Sequence, residues 1–157
     1  MLKHFIPITS YCLLTIILYG CWRKNNEDYK EQMLIEINKQ RLAGCFCGED
    51  SMPPVRELIY DEMLESAARR HVLDMTENDI FRHIGSDGST PQIRAAESGF
   101  TGAYIGENIA RGFVSVNEVM TRWLSSIDHC RTIMDSRFHY VGVAYEDYYW
   151  VQVFGSD

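Results

Sequence analysis

"HYVGVAYEDYYWVQVF", residues 139–154, decides the fold class. It holds two runs of alternating apolar positions, "HYVGVAYE" and "YYWVQVF", with almost nothing between them, which is the pattern of a β-hairpin. Upstream the period changes. From Tyr29 to Leu42 the apolar residues Met33, Leu34, Ile37 and Leu42 recur at helical spacing among charges. Asp61 caps a second expected helix whose Met63, Leu64, Ala67, Ala68, His71, Val72 and Met75 share one face. Thr90 as cap and Pro91 at the first helical position open a third, which Gly99 ends. Ser115 and Glu118 form a capping box for a fourth, carrying Val119, Met120, Trp123 and Leu124. "AGCFCGEDSMPP" (43–54) and "IGSDGST" (84–90) are rich in turn residues and read as loops. Helices come first and strands last, so the class is α+β and not a parallel α/β sheet.

The 157 residues give room for one domain, and 46% hydrophobic with 12% aromatic content suits a packed core. A formal net charge of -7 argues against nucleic acid as a partner, because phosphate contacts need clustered Lys and Arg. The first twenty residues differ from the rest. "MLKHFIPITSYCLLTIILYG" has one formal charge, Lys3, and a mostly apolar stretch, Cys12–Tyr19, much shorter than a spanning helix needs. That describes an export signal over 1–20. "LYGC" (18–21) resembles the lipobox of bacterial lipoproteins, which implies lipidation at Cys21 and attachment to a membrane. Residues 21–28 then form a polar tether and 29–157 the folded domain.

Export places the remaining cysteines, Cys45, Cys47 and Cys130, where disulfides persist. A bond between Cys45 and Cys47 would be strained on an extended chain, so one of the two is expected to bridge to Cys130. Closing so long a loop stabilises by up to about 4–5 kcal/mol in the chain-entropy description. Three thiolates on a metal would lack the usual paired spacing. Among the histidines, His71 lies on the apolar face of the second helix and reads as a hydrogen-bonded core residue. His139 opens a strand at the surface. His83, in "FRHIGSDG", and His129, in "SSIDHCR", are placed in loops at helix ends, where functional side chains tend to be displayed. With Glu107 of "GENIARG" (106–112) they could hold Zn²⁺ or work as acid and base. The chain has no HExxH, no GxSxG and no phosphate-cradling glycine loop.

In order, "AARRHVLDM", "FRHIGSDGSTP", "GENIARG", "VMTRWLSSIDHCRTIM", "HYVGVAY" and "YWVQVFG" resemble the bacterial members of the CAP superfamily, the SCP-like family named for cysteine-rich secretory proteins, antigen 5 and pathogenesis-related proteins. The resemblance covers about residues 30–155. It implies an α-β-α sandwich, a central antiparallel sheet flanked by helices, with a cleft holding two histidines and two glutamates. His83 and His129 match the two histidines, and Glu107 the first glutamate. The second glutamate should follow the tryptophan of the fourth helix, Trp123, by three residues, and Ser126 stands there. A serine cannot serve as a carboxylate. The resemblance also implies that Cys47 pairs with Cys130 and leaves Cys45 free.

On this reading Glu107 faces His83 and His129 across the cleft, raising the pKa of both rings. Gly106 lets the backbone turn tightly and Asn108 ties the loop down. The resemblance implies a membrane-anchored, extracytoplasmic binding module in the bacterial cell envelope. No cofactor is required, although Zn²⁺ could bind at His83 and His129. The expected ligand is a lipid or sterol-like molecule or a host or envelope protein, bound without chemical turnover. Two other readings stand beside it, a hydrolase in which metal or a His–Glu pair activates water, and a purely structural surface module.

Overall fold

Along the final strand, neighbouring side chains enter two different cores, and this alternation organises the molecule. The computed structural model describes residues 29–157; the 1–20 signal, the Cys21 lipidation site and the 21–28 tether lie outside the described residues. Helix α1 includes residues 29–43. There follow β1 (Cys45–Cys47), β2 (Asp50–Met52), β3 (Ile59–Tyr60), α2 (Glu62–Glu77), α3 (Pro91–Glu97), β4 (Tyr104–Arg111), α4 (Val116–Leu124), α5 (Ile127–Met134), β5 (Tyr140–Glu146) and β6 (Tyr149–Ser156). The main sheet has the order β3-β5-β6-β4.

On β6, Tyr149, Val151 and Val153 join Leu64, Ala67, Ala68 and Val72 of α2 and Ala95 of α3 in one core. Trp150 and Phe154 join Met33 and Ile37 of α1, Val119 and Trp123 of α4 and Ile133 of α5 in the other. Successive strand side chains point to opposite faces, so a strand between two helical layers is apolar on both. The result is a sheet with helices on either side, in the α+β class. The β5–β6 turn places Asp147 and Tyr148 at φ 43° and 68°. Positive φ at both turn residues suits the right-handed twist of a two-residue hairpin.

Three features differ from the sequence reading. The sheet is not wholly antiparallel, because β3 pairs parallel with β5. Residues 43–54 are not only loop: β1 and β2 form a separate antiparallel hairpin. A fifth helix, α5, follows α4 after a break at Ser125 and Ser126. The caps at Asp61, Thr90 and Ser115 each accept the backbone N–H three residues on.

Two buried polar side chains lock the layers. The guanidinium of Arg41, fully buried, donates to the carbonyls of Arg56 (2.7 Å), Ile133 (2.6 Å), Asp135 (3.0 Å) and Phe138 (3.3 Å). It thereby joins α1 to the carbonyl end of α5 and the entry to β5. Burial lowers its pKa to about 10. Trp123 Nε1 donates to the Ile109 carbonyl at 3.2 Å, fastening α4 to β4.

Helix α2 lies directly on β5 at Gly142, where an added Cβ would overlap the Leu64–Glu65 backbone. Neither backbone can yield without moving a whole element. Gly142→Ala is expected to destabilise the fold by about 2–3 kcal/mol or more, as overpacking against rigid neighbours does. Urea denaturation checks this, and an unchanged midpoint would show that α2 stands further from the sheet.

Candidate functional site

Glu107 is on β4, an edge strand of the sheet, and not in a loop. Its side chain is only 1% exposed. Both carboxylate oxygens are engaged: Oε1 accepts from His83 Nδ1 at 2.8 Å and Oε2 from Arg94 Nη2 at 2.7 Å. Arg94, on α3, is itself buried, so the two opposite charges are removed from water together. An isolated buried charge would be prohibitive, and pairing is what makes the position tenable. Arg94 also donates to the backbone carbonyls of Ser89 (2.8 Å) and His83 (3.1 Å). One guanidinium therefore fixes both the Glu107 carboxylate and the loop that carries His83.

That loop is pinned at its base as well. Asp74 of α2 accepts from the Ser86 backbone N–H at 2.8 Å, and the Gly85 N–H donates to the Ser89 carbonyl at 2.9 Å. His83 itself is half-exposed, with 51% of its side chain open to solvent. A carboxylate only accepts, so Nδ1 of His83 carries the proton, and in the neutral ring Nε2 keeps its lone pair. A carboxylate that fixes a histidine in this way sets both its tautomer and its orientation.

His129 is on the first turn of α5, not in a loop. Its Nδ1 is 2.8 Å from Ser126 Oγ, so Ser126 touches the ring in the place where the resemblance led one to look for a carboxylate. Burial is the main cause that lowers the His129 pKa, with the charges of His83 and Arg122 adding to it. The expected rise from Glu107 is not found: the Glu107 oxygens are turned to His83 and Arg94 instead. Asn108 is buried and ties β4 to α5, donating to the His129 carbonyl at 3.3 Å and to Gln152 Oε1 at 3.2 Å. Gly106 makes no turn. It is inside β4, and a Cβ there would stand 2.5 Å from the Phe138 ring, so the glycine admits Phe138 against the strand.

His71 is fully buried on α2 and donates from Nε2 to the Arg82 carbonyl at 3.0 Å. Its Nε2 is 3.8 Å from Glu107 Oε1. Burial lowers its pKa, and Nδ1 has no partner among the described residues, which is the environment of a neutral ring. His139 is partly exposed, 3.8 Å from Asp157.

His83, Glu107 and His129 do not form a ready three-ligand metal site. Among the described residues, the one group of three or more candidate ligands whose atoms all lie within 4.8 Å is Cys45, Cys47 and Cys130. Glu107 would also have to surrender a charge-assisted hydrogen bond to bind a cation. Nε2 of neither His83 nor His129 is hydrogen-bonded among the described residues, and the His83 ring is half open to solvent while His129 is partly buried. Exposed Phe81 and Ile84 flank His83. A groove of about 750 Å³ runs along α4, lined by Phe113, Val114, Thr121, Arg122 and Ser125, and ends next to Ser126 in the chain. Another, of about 490 Å³, is lined by charged side chains of α2 and by Asp87 and Arg94.

Comparison with known proteins gives three kinds of match. Residues 34–154 match the cysteine-rich secretory protein family, CAP. The uncharacterized protein YkwD of Bacillus subtilis is 30% identical over 133 residues, covering 83% of this chain and 52% of that protein. The chain thus spans about half the length of this relative. Among solved structures, an extracellular protein containing a SCP domain from Bacillus anthracis superposes with a TM-score of 0.75 at 22% identity, covering 84% of this chain and 41% of that one. An outer surface protein of Borrelia burgdorferi gives 0.68 at 22% identity, covering 80% and 90%. At these identities the two structures establish the fold.

His71 and His129 both have lowered pKa values in the folded state. Below their ordinary value of about 6.5 the unfolded chain therefore binds more protons, and stability present above that pH is lost as the pH falls. The urea midpoint is expected to fall between pH 7.5 and 5.5, and to fall less in His71→Gln/His129→Gln. A midpoint constant across that range would mean that neither ring is held neutral.

Proposed function

The chain belongs to the cysteine-rich secretory protein (CAP) family, and from that premise we propose that it is an extracytoplasmic binding module, anchored to a membrane through lipid on Cys21. Its ligand is an amphipathic, lipid-like molecule. The polar end meets the imidazole edges of His83 and His129, and the apolar part follows Phe81, Ile84 and the α4 groove at Phe113 and Val114. A concave, mostly apolar surface with a few fixed polar groups is the usual form of a small-molecule site.

One observation carries the choice of binding over turnover: both oxygens of Glu107 are already committed, to His83 and Arg94. Glu107 spends its charge on these two partners, and the free lone pair it leaves, on Nε2 of His83, has no second carboxylate to work with. Ser126, in the place of a second carboxylate, has a hydroxyl far too weak a base to take its role at neutral pH. Glu107 thus works on the protein's own side of the site, holding a His83 ring that is half open to solvent. An extracellular setting agrees with the Bacillus anthracis and Borrelia burgdorferi neighbours, described as extracellular and outer-surface proteins.

The test uses wild type, His83→Ala/His129→Ala and Val114→Asp. Titration with a fluorescent fatty acid or sterol probe is expected to show at least tenfold weaker binding in both variants. Calorimetry with Zn²⁺ on the same samples asks whether the two imidazoles also take metal, in which case the heat disappears in the double variant. Hydrolysis of a peptide or ester by wild type, abolished in the double variant, would replace binding with catalysis. Absence of any bound probe would leave a structural module. For the anchor, Cys21→Ala is expected to stop incorporation of labelled fatty acid and to release the protein from membranes.

A further inference from the structure

We propose that Cys45, Cys47 and Cys130 form a thiol–disulfide exchange centre, in which the Cys45 thiolate attacks Sγ of Cys130. A Cys45–Cys130 bond forms, the Cys47–Cys130 bond breaks, and its electron pair leaves on the Cys47 sulfur. The Cys45 proton goes to solvent and the Cys47 thiolate takes one up. One disulfide and one thiol are present before and after, so neither oxidant nor reductant is consumed.

The geometry comes from β1. Cys47 and Cys130 are disulfide-bonded, and Cys45 is the free cysteine among the described residues. Residues two apart on a strand point the same way. Cys45 and Cys47 therefore both face α5, while Phe46 between them points outward and is 70% exposed. The Cys45 sulfur is 3.7 Å from Sγ of Cys130 and 4.0 Å from Sγ of Cys47. Cys130 is the sulfur the two can share, because a bond between Cys45 and Cys47 would be strained along one extended strand. Cys130 and Cys47 are buried, whereas Cys45 is half-buried and can lose its proton to water.

Cys45 stands beside the disulfide and not on its axis, being nearly equidistant from both sulfurs. Attack along the bond therefore requires β1 or the Cys45 side chain to shift. The surroundings permit this. Strand β1 pairs only with β2, in a two-stranded ribbon separate from the main sheet, and glycines at φ +71° (Gly44) and +65° (Gly48) bound it. Burial pushes the Cys45 thiol pKa up, so the attacking thiolate is scarce at neutral pH and exchange speeds up with alkalinity.

The experiment maps the disulfide in the full chain. Samples held near pH 7 and near pH 9 without reductant are trapped by alkylation, and tandem mass spectrometry locates the alkyl group. Near pH 7 it is expected on Cys45. Near pH 9 it is expected on both Cys45 and Cys47, the initial rate rising about tenfold per pH unit while the thiolate is the minor form. Cys47→Ser is expected to form the Cys45–Cys130 bridge, and Cys45→Ser to keep Cys47–Cys130 with neither thiol alkylated. Alkylation confined to Cys45 at both pH values, or a folded Cys47→Ser chain with two free thiols, overturns the proposal. Should Cys47→Ser not fold, the wild-type map alone decides.

Discussion

The buried ion pair between Glu107 and Arg94 is the constraint on which the rest of the site depends. Removing one partner of such a pair strands the other charge in a medium that cannot solvate it, a loss of about 3–5 kcal/mol. Here the pair also joins chain segments that are otherwise independent. Glu107 comes from an edge strand, Arg94 from a short helix on one face of the sheet, and His83 from the loop between α2 and α3. His71 on α2 is close enough to feel the same carboxylate. The pair therefore works as a fastener first. It is also the reason that a loop histidine with half its surface in water has a fixed orientation.

A second buried polar chain fastens the other side of the site. Gln152, on the central strand, donates to the sulfur of Met33 at 3.2 Å and accepts from Asn108, which in turn donates to the His129 carbonyl. Side chains from α1, β6 and β4 and the backbone of α5 are thereby held in one line through the larger core. Buried amides are stable where donors and acceptors meet, as the amide N–H groups do here, while Asn108 Oδ1 has no partner among the described residues. His83 is set by charge and His129 by this amide relay together with Ser126. The two imidazoles are positioned by unlike means from unlike elements, and the edge strand β4 is what they share.

Much of the scaffold was legible because its signals are local. The "HYVGVAYEDYYWVQVF" alternation, the caps at Asp61, Thr90 and Ser115, and Pro91 at a helix start act over three or four residues and need no knowledge of tertiary partners. What was not legible depended on distant residues. Arg94 and Arg41 look like surface charges in the sequence, and only Glu107 or four scattered carbonyls make their burial possible. "GENIARG" contains a glycine, a glutamate and an asparagine, all weak strand formers. It is a strand because eight residues register against β6. Gly106 looked like a turn and is instead a gap filled by Phe138, a contact no local pattern encodes. His129 was assigned to a loop because two serines interrupt the helical period. In fact Ser126 stands at the N-cap position of a new helix, and its hydroxyl goes to the His129 ring instead of to the helix backbone.

Helix α5 carries both a candidate site histidine and one half of the disulfide. Its first turn carries His129 and the next residue is Cys130, so a displacement that carries the sulfur toward a new partner acts on the backbone that also presents the imidazole. At its far end the Ile133 carbonyl is gripped by the Arg41 guanidinium, and its preceding serine touches the histidine ring. The disulfide and the His129 ring therefore leave adjacent residues of one helix, whereas His83 is held separately by Glu107 and Arg94.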